Sequence, residues 1–194
     1  MDRKKFLNED PDVLEFFEKL EKLYVKLGIG ILEEFKRLPS FPDMLVDRWK
    51  RAELLGFGEG SNIYDNALVL GNVKVGKECW IGPNTILDGS GGLIIGDYCT
   101  ISAGAHIYSH DNVKQTLSSK KQPIDKKETK IGNNVYVAPN VVIAKGVTIG
   151  NNCVIATASF VNKIFPDNCI IMGQPAKVVG KVENTDDNIN FIYS

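Results

Sequence analysis

Histidine is nearly absent from this chain: His106 and His110 are the only two among 194 residues. A metal site built on three histidines is therefore beyond a single copy, and no metal is expected. Acid–base work at neutral pH falls to one of these two side chains. Cysteine is scarce as well. Cys79, Cys99, Cys153 and Cys169 lie far apart with no Cys-x-x-Cys pair. That removes a zinc ribbon and a disulfide scaffold, and it leaves small core residues in a reducing compartment. No apolar run is long enough to cross a bilayer. Met1-Asp-Arg-Lys-Lys leads into acidic residues rather than the apolar core of a secretory signal. A cytoplasmic location is expected. Nor does one sign of charge dominate. The 23 basic and 24 acidic side chains leave a net charge of -1, which argues against a nucleic-acid partner or a polybasic membrane anchor.

What charge there is crowds the front of the chain. Residues 1–54 hold 11 of the basic and 12 of the acidic side chains, a compositional shift that marks a helical segment over 1–56. Val13, Phe16, Phe17, Leu20, Leu23, Tyr24 and Leu27 form a stripe at helical spacing. Asp10 is placed as its N-cap, Pro11 at its first position, and Gly28 and Gly30 as its stop. A shorter helix with Ile31, Leu32, Phe35 and Leu38 is expected to end at Pro39. A third is expected from about Pro42 to Leu55. The mixed charge of the first stripe's polar face fits a helix packed on its own protein better than one lying on a membrane.

From residue 63 the chain counts in sixes. Aliphatic side chains stand at Ile63, Val69, Val75, Ile81 and Leu87, at Ile95, Ile101 and Ile107, and from Ile131 through Val137, Ile143, Ile149 and Ile155 to Val161. The residue after each is often Gly or Ala. The fifth position is small or β-branched, as at Ala67, Cys79, Thr85, Val135 and Cys153. No α-helix has a period of six. A coil does, when each hexad is one short strand plus a corner, with Gly or Asn taking the corner geometry. Stacking such coils buries a continuous aliphatic column. The expected architecture is mainly β, a parallel β-helix over residues 57–182, with 183–194 as a polar tail.

Two breaks interrupt the count. Asp88-Gly-Ser-Gly-Gly adds two residues between Leu87 and Ile95. A longer break, the loop 111–128, carries five lysines and leaves the coil one residue after His110. Function concentrates in such excursions from a rigid scaffold.

The repeat, the junction Ile107-Tyr-Ser-His-Asp111 and the closing Gly173-Gln-Pro-Ala-Lys177 resemble the hexapeptide-repeat acyltransferases, in particular their sugar O-acetyltransferases. The likeness spans roughly residues 60–181. It implies a left-handed sense for the coil and a homotrimer with acetyl-CoA in the groove between neighbours. It also implies that a histidine at the root of the loop is the general base. His110 matches that position. Imidazole suits the task because its ordinary pKa lies near neutrality. The likeness further aligns Tyr136, Ala138, Thr157, Asn162, Lys163 and Lys177 with the coenzyme groove, the lysines toward its phosphates, and Asn84 and Asp88 with the acceptor sugar.

Plainer readings stand beside these. Asp88 before Gly89 fits a turn residue, any single lysine fits a solvated side chain, and the lysine loop fits either an anionic acceptor or a solvated surface. His106 is the last residue of its hexad, outward on a flat side, and suits a structural role. Two other functions remain open: N-acetyl transfer to a nucleotide-linked amino sugar, whose acceptor nitrogen has less need of a base, and a non-catalytic β-helix subunit, which has no need of the His110 junction.

Overall fold

The structure, a computed structural model, describes residues 3–185 and 188–193. The chain divides into two compact units, 1–47 and 48–194.

In the first unit, α1 spans Pro11–Phe35 and α2 spans Phe41–Leu45. The Asp10 side chain caps α1 by accepting from the Val13 N–H. The expected stop at Gly28 and Gly30 does not occur. One or two glycines cost a helix only about 1 kcal/mol each, and the apolar stripe continues through Ile31, Leu32 and Phe35. Gly28 is buried, and a Cβ there would press on the Leu38 side chain, so this glycine permits a close approach. The helix ends at Lys36 in the left-handed conformation, its N–H bonded to the Leu32 carbonyl. The helix expected over 42–55 is two helices, because Val46 is extended between them.

The second unit opens with α3, Arg48–Leu54, which lies inside the segment assigned to the helical front end. It joins the β unit because an end coil exposes its core edge unless something covers it. Ala52 and Phe57 are buried there. Arg51 donates to the Tyr64 and Ala67 carbonyls, and the Arg48 guanidinium lies 3.4 Å from the Tyr64 ring centroid.

Beyond α3 the chain is a parallel β-solenoid of about six turns. Asn62 pairs with Trp80 and Ile63 with Ile81, eighteen residues on, so three hexads make one coil with three flat faces. The first face continues through Thr100–Ile101, Tyr136–Val137 and Val154–Ile155. The second stacks Ile86 on His106 and His106 on Val142. The third stacks Ile94 on Lys130 and Lys130 on Thr148. Each hexad's aliphatic residue points inward: Ile63, Ile81, Ile101, Val137, Ile155 and Ile171 are fully buried in a single column. Burying each such side chain is worth about 1.5–3 kcal/mol.

Corners are fixed by polar ladders. At one edge, the Asn133 side chain accepts the Asp97 N–H, Asn151 accepts that of Asn133, and Asp167 that of Asn151, each at 2.8 Å. Asn134, Asn152 and Asn168 take the left-handed conformation at the same edge, which Asn tolerates better than most residues. All four cysteines are free and buried. Within 183–194, expected as a polar tail, the described residues 183–185 and 188–193 lie in strands. Ala176–Thr185 runs antiparallel to Cys169–Gly173, and Asn188–Tyr193 pairs back along it.

Both breaks sit at the corner between the second and third faces. The two extra residues after Asp88 are absorbed by a strand that runs unbroken through the corner, Ile86–Ile95. The longer excursion has a two-stranded stem, His110–Asp111 against Asp125–Lys126, and carries α4, Val113–Leu117.

Candidate active site

Coil stacking brings His110 to Asp88, although 22 residues separate them in sequence. Ile86 pairs with His106 and Leu87 with Ile107, so Asp88 lies beside the turn that leads to His110. His110 Nδ1 stands 2.6 Å from Asp88 Oδ2. The same oxygen accepts the Ser109 N–H at 3.0 Å, and Oδ1 accepts the Ser90 N–H at 3.0 Å. Asp88 is fully buried, whereas the His110 side chain is 32% exposed. Burial is the largest single influence on the Asp88 carboxyl and pushes it up. Bonds from Ser90, Ser109 and His110 together outweigh burial and bring it down to about 2. An ionised carboxylate can only accept, so Nδ1 carries a proton, and in the neutral ring that tautomer leaves the lone pair on Nε2.

Asp88, expected on the acceptor side, is thus fully buried, with His110 between its carboxylate and the surface. Its place is behind the imidazole. The clue in the sequence was position. Asp88 follows the inward Leu87 at a point where the repeat usually holds Gly or Ala, and a lone charge there needs partners.

His110 opens onto a pocket of about 380 Å³. Tyr108, Asn112 and Lys145 supply its polar wall, and Val142, Ala144 and Phe160 its apolar one. Lys145 comes from the following coil and clamps the loop stem, pairing with Asp111 and, at 3.1 Å, with Asp125. Lys114 adds a second contact to Asp125 at 3.2 Å. These lysines hold both carboxyls below the usual carboxylate range, Lys145 first in each case. Sequence reasoning passed over Lys145. Its signal was its place two residues after the inward Ile143, on the corner that the loop leaves.

The other expected site residues fall at several places in one chain. Tyr136 faces outward on the first face and is partly exposed, with Ala138 and Thr157 at the corner that follows. Asn84 occupies that same corner; its Oδ1 accepts from Asn66 Nδ2 at 2.9 Å, and its backbone N–H donates to Asn66 Oδ1 at 3.2 Å. Asn162 and Lys163 lie at the corner of His110 and Lys145, one coil later; the Lys163 ammonium rests 5.5 Å from the Phe165 ring centroid. Lys177 is exposed on the antiparallel strand opposite Met172. None of these lines the His110 pocket. His106 faces out on the second face, with Nδ1 3.4 Å from the Tyr108 hydroxyl. Among the described residues, no three of His, Cys, Asp or Glu group as metal ligands.

Residues 128–163 match the family model described as bacterial transferase hexapeptide (six repeats). The chain is 30% identical over 157 residues to WcaF of Escherichia coli (strain K12), which is named as a colanic acid biosynthesis acetyltransferase; the alignment covers 76% of this chain and 82% of that protein. The chain belongs to the hexapeptide transferases. A second member of that family, galactoside O-acetyltransferase of the same organism, is 32% identical over 130 residues, covering 62% of this chain and 59% of that protein. Among solved hexapeptide-repeat structures, the acetyltransferase VCA0836 from Vibrio cholerae superposes with a TM-score of 0.63 at 23% identity, covering 84% of this chain and 91% of that one. At that identity the likeness concerns the fold alone. VCA0836 has also been solved complexed with acetyl coenzyme A.

Proposed function

We propose that this chain is an acetyl-CoA-dependent O-acetyltransferase that acylates a sugar hydroxyl, with His110 as general base. The observation that carries the proposal is the Asp88–His110 pair at the edge of the pocket, 2.6 Å apart with the carboxylate buried and the imidazole partly exposed. Asp88 acts as a positioning residue: it fixes the ring and its tautomer and stabilises the imidazolium that forms. Nε2 takes the proton of the acceptor hydroxyl as that oxygen attacks the thioester carbonyl. The tetrahedral adduct collapses, the C–S bond breaks, and His110 returns the proton to the departing sulfur. Acetyl ester and free CoA leave.

The coenzyme residues divide between two corners of one chain, Ala138 and Thr157 at one and Asn162 and Lys163 at the other. A homotrimer reconciles them, because the corner of one subunit then faces the side of the next and the groove between them draws on both. WcaF and the galactoside enzyme, by their names, support acetyl transfer and a sugar acceptor.

The test is incubation with labelled acetyl-CoA and a panel of free, nucleotide-linked and amino sugars. A labelled O-acetyl sugar is expected from the wild type, and a rate lower by roughly 10²–10⁴-fold from His110→Ala. Label appearing only on amino groups, or an undiminished His110→Ala rate on a hydroxyl, overturns the proposal.

A further inference from the structure

The loop that begins at His110 carries five lysines, Lys114, Lys120, Lys121, Lys126 and Lys127, against three carboxylates, Asp111, Asp125 and Glu128. Every one of those carboxylates is engaged. Asp111 pairs with Lys145, Asp125 with Lys145 and Lys114, and Glu128 with Lys130 at 2.7 Å. Among the described residues, none of Lys120, Lys121, Lys126 and Lys127 has a carboxylate within ion-pair distance, although the whole chain has a net charge of -1. An excess of cations on one loop of an otherwise balanced chain attracts anions to that loop.

Register sets one of these lysines opposite His110. His110 and Lys126 are directly paired across the antiparallel stem, as are Asp111 and Asp125. Directly opposed residues project from the same face with Cβ atoms about 5 Å apart. The His110–Lys126 face and the Asp111–Asp125 face are therefore opposite sides of the stem. Lys145 satisfies the acidic pair, and among the described residues no carboxylate pairs with Lys126, whose backbone is in register with His110. Lys127 lays its aliphatic stem over Gly146 of the next coil. Lys120 and Lys121 follow α4 at the loop tip, where Ser119 and Lys120 both take the left-handed conformation.

We propose that the 111–128 loop selects an acceptor sugar bearing a negative charge, a phosphate or a carboxylate, and that Lys126 is the residue that meets this charge. The proposal rests on the reading that His110 deprotonates the acceptor. A cation paired with the base then faces the acceptor rather than the donor's phosphates, for which Lys163 and Lys177 stand elsewhere on the surface.

Glucose, glucose 1-phosphate and glucuronic acid, with acetyl-CoA held saturating, separate the outcomes. Wild-type kcat/KM is expected to be at least about tenfold higher for one of the charged sugars than for glucose, and the ratio should shrink as salt screens it. The phosphate and carboxylate arms identify which anion is preferred. In Lys126→Ala, and further in Lys120→Ala/Lys121→Ala/Lys126→Ala, the ratio should fall to within about threefold of unity, while KM for acetyl-CoA shifts less than about twofold. Equal use of charged and neutral sugars, an unchanged ratio in the triple variant, or a rise confined to the acetyl-CoA KM overturns the proposal. If no sugar is acetylated at all, the catalytic reading fails, and calorimetric binding of the same three sugars still decides this one. Wild type should bind a charged sugar more tightly than glucose and the triple variant should not; equal binding overturns it.

Discussion

Replacing Asp88 with Asn tests the positioning role with the least change of shape. The carboxylate accepts three N–H groups, those of Ser90 on one oxygen and of Ser109 and His110 on the other. An amide offers one accepting oxygen and one donating nitrogen, so either orientation sets a donor against a donor. If the nitrogen faces His110, the ring must accept at Nδ1 and carry its proton on Nε2, where it can no longer act as a base. If the nitrogen faces Ser90, the tautomer survives and the charge is lost. Either way kcat is expected to fall by roughly 10²–10⁴-fold, with KM for acetyl-CoA changed little.

Stability responds in parallel. A carboxyl at about 2 in the fold and 3.8 ordinarily contributes about 2 kcal/mol. Because the folded value is depressed, this contribution is complete well above pH 4 and is lost as pH falls from about 4 through about 2. The variant should therefore melt roughly 4–8 °C below wild type near pH 7, and the gap should close across that acid window. Steady-state rates measured well below both melting temperatures, with thermal melts from pH 7 to pH 2, provide the check. An Asn variant within threefold of the wild-type kcat would refute the reasoning.

Lys145→Ala should free the stem that Asp111 and Asp125 share, so that limited proteolysis cuts between residues 112 and 124 sooner while the coil stays intact; unchanged cleavage would mean that Lys145 is not the clamp. Acetyl-CoA should raise the melting temperature in proportion to ln(1 + [L]/Kd), and Lys177→Glu should reduce that rise; no rise at millimolar coenzyme counts against the enzyme reading. Light scattering should give three times the monomer mass of 21.4 kDa, and a monomer in dilute solution would remove the shared groove.

The solenoid was legible because one force writes it. Each hexad must turn one aliphatic side chain inward, so Ile63 through Val161 spell out the coil whatever the outward residues do. The site is written differently. Asp88 and His110 lie in separate hexads, and only the eighteen-residue coil, lengthened here to twenty by the insertion after Asp88, sets one beside the other; Trp80 pairing with Thr100 records that lengthening on the first face. Lys145 belongs to yet another coil and meets Asp111 across 34 residues of chain. Periodicity fixes which residues face inward, but it says little about which outward or corner residues meet once a loop has been inserted. The helical unit failed for another reason. Gly28 and Gly30 are weak stops, and local propensity yields when the apolar stripe continues and a neighbour such as Leu38 packs against the gap. Asp88 was nevertheless exposed to a stricter test than propensity. A carboxylate buried at the corner beside an apolar column is tolerated only if several donors converge on it, and in a coil with two histidines the donor that also reaches solvent had few candidates. Counting the partners that a buried charge requires, coil by coil, would have reached His110 from the sequence before its contacts were known.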